Sequence, residues 1–252
     1  LYYFFFLMAS QSLRKGKIQT VQGLINPNTI HDCLMHEHVL IDCEKIFFHP
    51  TSELPKSKGG VLTKDELKKL ENSTDFNDLS SLYWLQYNAS SNHYNLVLDQ
   101  DKVMITELEY YRKFAGHAGL LCELSTRGIH LSEGRAAHRL AALSRASDVH
   151  IVAGTGFYVD AAHPEYTQTE SIQQIADRMI DDCLKGFLSS QTNECSIKAG
   201  IIGELGCSYP LTQQEIKVLK AAVICQSHTG LTISIHTGRD PNSPYQVAKV
   251  LC

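Results

Sequence analysis

The sequence lacks paired cysteines and an excess of either charge. Its eight cysteines include no C-x-x-C pair, and a chain of 252 residues does not need disulfide bonds to hold a core together. We therefore expect reduced thiols and a cytoplasmic location. The net charge is only −4, from 23 basic and 27 acidic residues that are interspersed. No face is expected to neutralise phosphates, so nucleic acid is not an expected partner.

The chain also lacks a hydrophobic run that could cross a membrane. Residues 1–7 are apolar, but they are far shorter than a membrane span and have neither a basic leader nor a small-residue cleavage site. Met8-Ala9-Ser10 is typical of a natural start. We expect residues 1–15 to be an N-terminal extension, disordered or partly artefactual, residues 16–252 to form one domain, and no membrane to be bound.

Short apolar segments alternate with segments of helical periodicity through the rest of the chain. The strand candidates are residues 34–42, 119–125, 150–157, 199–205 and 231–236. The helix candidates are residues 101–114, 132–146, 169–187 and 212–227, with another beginning near Ser243 and with Ser132 and Thr212 as expected N-caps. Continuous apolar strands that alternate with helices are buried on both faces and lie parallel, so the fold class is α/β.

Residues 44–98 interrupt this alternation. The segment contains Pro50, Pro55 and Gly59-Gly60 and is too long for an ordinary loop between a strand and a helix. We interpret it as a partly helical excursion over the functional end of the sheet. A disordered insertion is the alternative, which the apolar residues 79–85, with Trp84, disfavour.

A His-x-His pair ends the first strand candidate. In a strand, the period of two sends the side chains of His36 and His38 to one side and that of Glu37 to the other. Two imidazoles that converge in this way suit zinc and its neighbours, and leave positions for a carboxylate and water. The alternative is two histidines packed in a polar loop.

Two later strand candidates also end in residues that bind metals. Glu204 follows an apolar run, where a buried carboxylate is costly unless a cation or a donor meets it. His236 ends the fifth strand candidate. A salt-bridged carboxylate and a core histidine are the alternatives for each residue alone, but His, Glu and His at three strand ends together indicate a metal site.

The motifs identify the chain, from about Gly16 to Cys252, as similar to the phosphotriesterase-related proteins of the amidohydrolase superfamily. The motifs that carry the resemblance are Gly16-Lys17-Ile18-Gln19-Thr20-Val21, His36-Glu37-His38, Tyr83-Trp84-Leu85-Gln86, Gly154-Thr155-Gly156-Phe157-Tyr158-Val159-Asp160-Ala161, Gly200-Ile201-Ile202-Gly203-Glu204-Leu205-Gly206-Cys207-Ser208 and His236-Thr237-Gly238-Arg239. Such proteins are metal-dependent (β/α)₈ TIM barrels. The resemblance thus implies about the first five βα units of a barrel.

The resemblance also implies a metal centre and a reaction. His36 and His38 would bind the more buried of two divalent ions, expected to be Zn²⁺, Glu204 would bridge both ions, and His236 would bind the second. Bacterial relatives have a carbamylated lysine at the bridging position, so a glutamate indicates the animal-type branch. That branch is associated with hydrolysis of N-acyl amino-acid-like amides, N-acetyltaurine in particular, by a metal-activated hydroxide. Ester or phosphotriester hydrolysis is the alternative.

Two further residues are candidates for substrate contact. Arg239 could face an anionic tail through its planar guanidinium, with a surface salt bridge as the alternative. Tyr158 follows the third strand candidate, with a loop aromatic as the alternative. The expected partners are a small-molecule substrate and, as an option, a second copy in a homodimer.

Part of the family's site is not in this sequence. The resemblance implies a further histidine from a sixth strand and a catalytic general acid/base aspartate from an eighth, which we expect beyond residue 252. Five strands cannot close a barrel, so we interpret the sequence as a truncated product or a partial sequence. A non-catalytic fragment or pseudoenzyme is the main rival. A nucleotide-binding domain is disfavoured, since no glycine-rich loop follows the first strand.

Overall fold

A computed structural model describes residues 15–49, 63–74, 79–116, 119–130, 135–187 and 197–251 of the chain. Its strands are β1 (Ile18–Thr20), β2 (Gly23–Ile25), β3 (Asp32–Glu37), β4 (Ile41–Asp42), β5 (Val97–Leu98), β6 (Gly119–Glu123), β7 (His150–Thr155), β8 (Ile201–Gly206) and β9 (Ile233–His236). Its helices are α1 (Lys64–Glu71), α2 (Leu79–Tyr87), α3 (Asp101–Ala115), α4 (Arg135–Ser147), α5 (Tyr166–Thr169), α6 (Ile172–Leu184), α7 (Gln213–Thr229) and α8 (Ser243–Leu251).

The main sheet has five parallel strands in the order β3, β6, β7, β8 and β9. Each strand is followed along the chain by a helix, and neighbours in sequence are neighbours in the sheet. This is the arrangement of the first five units of a (β/α)₈ barrel, so the predicted α/β class is confirmed. The antiparallel β1–β2 hairpin lies against this sheet, where the Val21 amide donates to the Ile151 carbonyl.

Apolar clusters lie on both sides of the sheet. On the helix side, one cluster joins β8 to α6 and α7, and a second joins β6 and β7 to α3 and α4. On the opposite side, Leu120, Cys122, Leu124, Val152 and Ile201 form a third cluster that the hairpin residues Ile18 and Ile25 cover. The burial of β6, β7 and β8 on both faces therefore agrees with their continuous apolar sequences.

The prediction for the first strand was wrong in two respects. The run at residues 34–42 is not one strand, because β3 ends at Glu37 and β4 pairs separately with β5. Of the three residues between β3 and β4, Val39 and Leu40 are apolar because they pack into the cluster with α3 and α4. Most residues of β3 are exposed rather than buried, since β3 has a neighbouring strand on only one side among the described residues.

The described residues of the excursion at 44–98 are partly helical and contact loops that follow the strands. They include α1, α2 and short 3₁₀ turns. The Asp42 amide, just before the excursion, donates to the Ile129 carbonyl, and Lys45 Nζ lies 3.4 Å from the Ala162 carbonyl oxygen. The excursion is therefore anchored at the carboxyl end of the sheet, while residues 50–62 and 75–78 lie outside the described residues.

The predicted helix starts have different outcomes. Thr212 caps α7: its hydroxyl accepts a hydrogen bond from the Glu215 amide, and the Glu215 carboxylate accepts one from the Thr212 amide. Ser132 lies outside the described residues, and so do residues 1–14 of the expected extension. In the described parts of the chain, no helix has both the length and the apolar character needed to span a membrane.

Candidate metal centre

One buried carboxylate lies at the carboxyl end of the sheet and faces three imidazole rings. Glu204, in β8, has a side chain that is 1% exposed. Its Oε2 lies 3.2 Å from Nε2 of His36 and 3.1 Å from Nδ1 of His236. Its Oε1 lies 3.3 Å from Nε2 of His38. Parallel strands that end at the same edge of the sheet thus bring together residues far apart in the sequence.

The two histidines of the His-x-His pair reach Glu204 from an irregular strand end. His36 belongs to β3, whereas His38 lies one residue beyond it, and the register between β3 and β6 shifts after Leu34. The two rings meet edge to face, with centroids 5.3 Å apart. The side chains of His36 and His38 converge as predicted. They do so at an irregular strand end, so the period of two of a regular strand is not by itself the cause.

His236, the last residue of β9, lies at the side of the cluster. Among the described residues, His36, His38 and Glu204 are the one group of possible metal ligands whose donor atoms all lie within 4.8 Å of one another. His236 touches this group through Glu204, while its Nε2 lies 3.5 Å from the Tyr158 hydroxyl. The rings of Tyr158 and His236 pack edge to face, so the tyrosine lies at the border of the cluster.

The charges at this cluster stabilise each other. Burial raises the pKa of Glu204, but hydrogen bonds from His236 and His38 outweigh it and lower the pKa to about 2. Burial lowers the pKa of His38, yet the hydrogen bond and the charge of Glu204 raise it above its usual value. The carboxylate therefore stays ionised and attracts positive charge, either a protonated imidazole or a cation.

Glycine allows the strands to approach closely beside Glu204. Gly203 has φ +127°, and a Cβ there would lie 2.3 Å from the Ser234 carbonyl oxygen of β9. A Cβ at Gly154 of β7 would lie 1.9 Å from the Gly203 carbonyl oxygen. Larger residues at either position would push the strands apart, so both glycines determine the position of Glu204.

The comparisons with known proteins agree with this architecture. The model of the phosphotriesterase family matches residues 16–252. The chain belongs to the phosphotriesterase family. It is 36% identical over 236 residues to the N-acetyltaurine hydrolase of Mus musculus, a match that covers 94% of this chain and 60% of the relative. It is 35% identical over 244 residues to that of Dictyostelium discoideum, covering 94% of this chain and 63% of the relative.

Solved structures of similar fold include two from bacteria. The crystal structure of a resiniferatoxin-binding protein from Rhodobacter sphaeroides matches with a TM-score of 0.75 and 27% identity, covering 94% of this chain and 60% of that one. The phosphotriesterase homology protein from Escherichia coli matches with a TM-score of 0.56 and 24% identity, over 86% of this chain and 57% of that one, and supports the fold alone. The partial (β/α)₈ barrel is thereby confirmed, and the chain spans about three fifths of these relatives.

The four residues predicted as metal ligands of this phosphotriesterase-family chain are brought together, while metal binding itself stays a prediction. Tyr158 lies beside His236, and burial, followed by the charges of Glu204 and Cys43, raises the pKa of its hydroxyl. Arg239 is exposed and, in the described parts of the chain, forms no ion pair, although its charge acts on Tyr158. Substrate contact by either residue stays a prediction.

Sequence reasoning missed two buried residues next to this phosphotriesterase-family site. Ser125 Oγ lies 3.0 Å from Nδ1 of His38. The Glu123 carboxylate, 2% exposed, accepts hydrogen bonds from the amides of Val39 and Ser125. Burial raises the pKa of Glu123 to about 7, despite hydrogen bonds from Ser125. The sequence does indicate Glu123, because it is a charged residue near the end of the apolar run at 119–125. Glu204 was identified from the same pattern in its own apolar run.

Proposed function

We propose that the protein is a divalent-metal-dependent hydrolase whose ions are held by His36, His38, Glu204 and His236. The observation that carries this proposal is the Glu204 carboxylate, which is buried and lies within 3.3 Å of three imidazole nitrogens. A buried carboxylate is costly unless a cation or donors meet it. Since metal binding replaces protons on such ligands, the same contacts that pair Glu204 with histidines suit a metal.

The donor set fits zinc. Imidazole nitrogens and a carboxylate are the ligands that Zn²⁺ takes at catalytic sites. Two ions would be held by these residues: His36 and His38 would hold one, His236 would hold the other, and Glu204 would contribute its carboxylate to the site. When bound, divalent ions supply Lewis-acid polarisation of the substrate carbonyl and a lowered pKa for water.

The chain's own residues would hold and orient the reactants. The half-exposed His36 and His236 leave one side of the cluster open to a substrate. Tyr158, whose hydroxyl lies 3.5 Å from His236 Nε2, would contact the substrate at this opening. Arg239, three residues past His236, would bind an anionic tail. The general acid/base aspartate stays a family expectation beyond residue 252.

For the substrate, we propose a small N-acyl amino-acid-like amide such as N-acetyltaurine, cleaved by a cytoplasmic protein that is monomeric or homodimeric. The support is that the relatives at 34–36% identity are named N-acetyltaurine hydrolases. Residues 16–252 would form a single domain. Phosphotriesters and simple esters are the alternative substrates, which share an electrophilic centre that the same ions would polarise.

The test measures metal content and hydrolysis in the same samples. The full-length protein that contains this chain is purified, reconstituted with Zn²⁺, dialysed, and assayed for release of taurine from N-acetyltaurine and for cleavage of a chromogenic phosphotriester. We expect about two ions per chain and amide hydrolysis. His36→Ala and Glu204→Gln should lose both, whereas His138→Ala, which removes an exposed imidazole from α4, should lose neither.

The outcomes separate the rival functions. Amide hydrolysis that persists in His36→Ala or Glu204→Gln would refute the proposed site. Cleavage of the phosphotriester alone would keep the metal centre and change the substrate class. Bound zinc with neither reaction would favour a non-catalytic protein.

A further inference from the structure

A buried carboxylate at the start of α7 joins two of the loops that follow the sheet. We call residues 156–165, between β7 and α5, the β7 loop, and residues 207–212, between β8 and α7, the β8 loop. Glu215 is only 1% exposed. Its Oε1 accepts from the Asp160 amide of the β7 loop at 3.2 Å. Its Oε2 accepts from the Ser208 hydroxyl of the β8 loop at 2.8 Å.

Capping the helix does not require this arrangement. The Glu215 carboxylate also accepts from the Thr212 amide at 3.0 Å, which is its part in the cap of α7. In α1 the exposed Glu66 caps in the same way, and in α6 a neutral Gln174 does so. A buried charge is costly unless donors meet it, and in the described parts of the chain Glu215 forms no ion pair. The contacts with the two loops therefore meet a charge that the cap alone does not need.

The contact with Asp160 fixes a turn that reaches back to Tyr158. Asp160 begins the 3₁₀ turn of residues 160–162, and its carbonyl accepts from the His163 amide at 3.0 Å. The side chain of His163 is buried, and its Nε2 lies 2.7 Å from the Tyr158 carbonyl oxygen. A carbonyl oxygen can only accept, so Nε2 donates. The Glu215 carboxylate thus holds the turn, and the turn holds the main chain of Tyr158.

The main chain of Tyr158 also lies directly against β8, the strand that carries Glu204. The Gly206 amide donates to the Phe157 carbonyl at 3.0 Å, and a Cβ at Gly206 would lie 2.3 Å from the Tyr158 carbonyl carbon. With its main chain held on both sides, Tyr158 presents its hydroxyl 3.5 Å from His236 Nε2. A displacement of the β7 loop would therefore move this hydroxyl away from the opening of the ligand cluster.

The same carboxylate holds the β8 loop, which packs against the segment after β9. A Cβ at Gly238 would lie 2.9 Å from the carbonyl carbon of Ser208, the residue whose hydroxyl donates to Glu215. Arg239, the second residue proposed to contact the substrate, follows Gly238 in the sequence. One buried side chain therefore ties together the loops that lie beside both proposed substrate contacts.

We infer that Glu215 is a positioning residue that holds the β7 loop so that the Tyr158 hydroxyl faces the bound substrate. The inference rests on the proposed hydrolase function and deepens it. Tyr158 lies at the border of the ligand cluster, so its hydroxyl would contribute equally to binding the substrate and the transition state. Loosening the β7 loop should then raise KM and leave both kcat and the zinc content unchanged.

The test measures KM, kcat and zinc content of the full-length protein that contains this chain, with whichever of the two proposed substrates the parent protein cleaves. Glu215→Ala should raise KM about tenfold, because the β7 loop loses a hydrogen bond from an amide to a carboxylate. The kcat and the zinc content should stay close to the parent values. Tyr158→Phe should raise KM to a similar extent, and adding Glu215→Ala to it should raise KM no further, because both changes remove one contact.

The matched control is Thr212→Ala, which removes the hydroxyl that caps α7 but keeps the amide that donates to Glu215. It should keep the parent KM. A second variant covers the case in which Glu215→Ala does not fold. Asp160→Pro removes the amide hydrogen at the first position of a 3₁₀ turn, where the φ of proline is tolerated, and places a ring carbon against the carboxylate. It should raise KM, whereas Asp160→Ala, which keeps the amide, should not.

Different failures have different meanings. If the parent protein cleaves a substrate and both Glu215→Ala and Asp160→Pro keep its KM, the inference is overturned while the proposed function stands. An equal rise of KM in Thr212→Ala would also overturn it, since the effect would then be a general loosening of α7. A rise that adds in full to that of Tyr158→Phe would overturn it too, because Glu215 would then act elsewhere. If the parent protein binds no zinc and cleaves neither substrate, the proposed function and the inference fall together.

Discussion

The Glu204 carboxylate and the His38 imidazole form a pair at the end of the sheet, with Oε1 3.3 Å from Nε2. Each partner changes the ionisation of the other. Despite burial, hydrogen bonds from His236 and His38 lower the pKa of Glu204 from its ordinary value of 4.5 to about 2. Despite burial, Glu204 raises the pKa of His38 above 6.5. The pair therefore makes the stability of the metal-free chain depend on pH.

The two pKa shifts predict a window of maximum stability. A lowered carboxyl pKa contributes stability above pH 4.5 that is lost as the pH falls toward 2. A raised histidine pKa contributes stability below pH 6.5 that is lost as the pH rises through the folded-state value. Glu204→Gln should remove both the loss of stability in acid and the loss at higher pH. Between pH 4.5 and 6.5 it should lower the free energy of unfolding by roughly 2 kcal/mol. Urea unfolding with a chelator present, at a series of pH values, measures this.

The exposed pair of Glu44 with His93 is the matched control. Its Oε2 and Nδ1 are 2.8 Å apart, but both side chains are 40% exposed. Glu44→Gln should therefore change the free energy of unfolding by less than about 1 kcal/mol. A pH profile of Glu204→Gln that runs parallel to the parent profile would contradict the prediction.

Metal addition and removal should shift stability through the same residues. Free Zn²⁺ at about one hundred times its dissociation constant should raise the free energy of unfolding by about 2.7 kcal/mol for each site that it fills, if it binds the folded and not the unfolded chain. A chelator should reverse the effect. His38→Ala should lose most of it, while His138→Ala, on the exposed face of α4, should respond as the parent does. Thermal unfolding with and without zinc measures this, and an unchanged response in His38→Ala would contradict it.

The ligand cluster was predictable because parallel strands impose it. A charged or imidazole side chain at the end of an apolar run must lie at the carboxyl edge of the sheet, where other strand ends also lie. Glu204 and His236 could therefore be placed beside His36 without any contact being known. The resemblance to the family supplied the assignment of ions, which the strand pattern alone does not contain.

Other features depended on contacts that the sequence pattern does not record. Val39 and Leu40 extend the apolar run past β3, but they are buried in a turn that packs on helices, so hydropathy alone could not show where the strand ends. Ser125 reaches the site only because the end of β6 lies beside His38, 87 positions away in the sequence. A lone serine at a strand end has no periodicity that would single it out.

Gly203 should be intolerant of a side chain. Its φ of +127° is unfavourable for other residues, and a Cβ would lie 2.3 Å from the Ser234 carbonyl oxygen. Gly230, with φ +70° and nothing within 4 Å of a built Cβ, isolates the cost of the backbone conformation. Gly230→Ala should cost about 1 kcal/mol, and Gly203→Ala about 1–3 kcal/mol more because of the steric overlap. Urea unfolding measures both, and equal costs would contradict the argument.

The buried ion pair of Arg127 with Asp182 should contribute more to stability than the exposed ion pair of Asp181 with Lys185. Arg127 Nη1 lies 2.8 Å from Asp182 Oδ2, with side chains 13% and 4% exposed, and Thr155 donates to the same oxygen. Asp182→Ala leaves a buried guanidinium without this carboxylate, so we expect a loss of about 3 kcal/mol in the free energy of unfolding.

The preceding residue of α6 provides the matched control for this pair. Asp181 forms an ion pair at 2.8 Å with Lys185, but the two side chains are 43% and 62% exposed. Water and salt screen such a pair, and Asp181→Ala should cost less than about 1 kcal/mol. Chemical unfolding of the two variants at low and high salt separates them: only the small effect of Asp181→Ala should diminish in high salt. If Asp182→Ala costs no more than Asp181→Ala, burial does not strengthen the Arg127 pair.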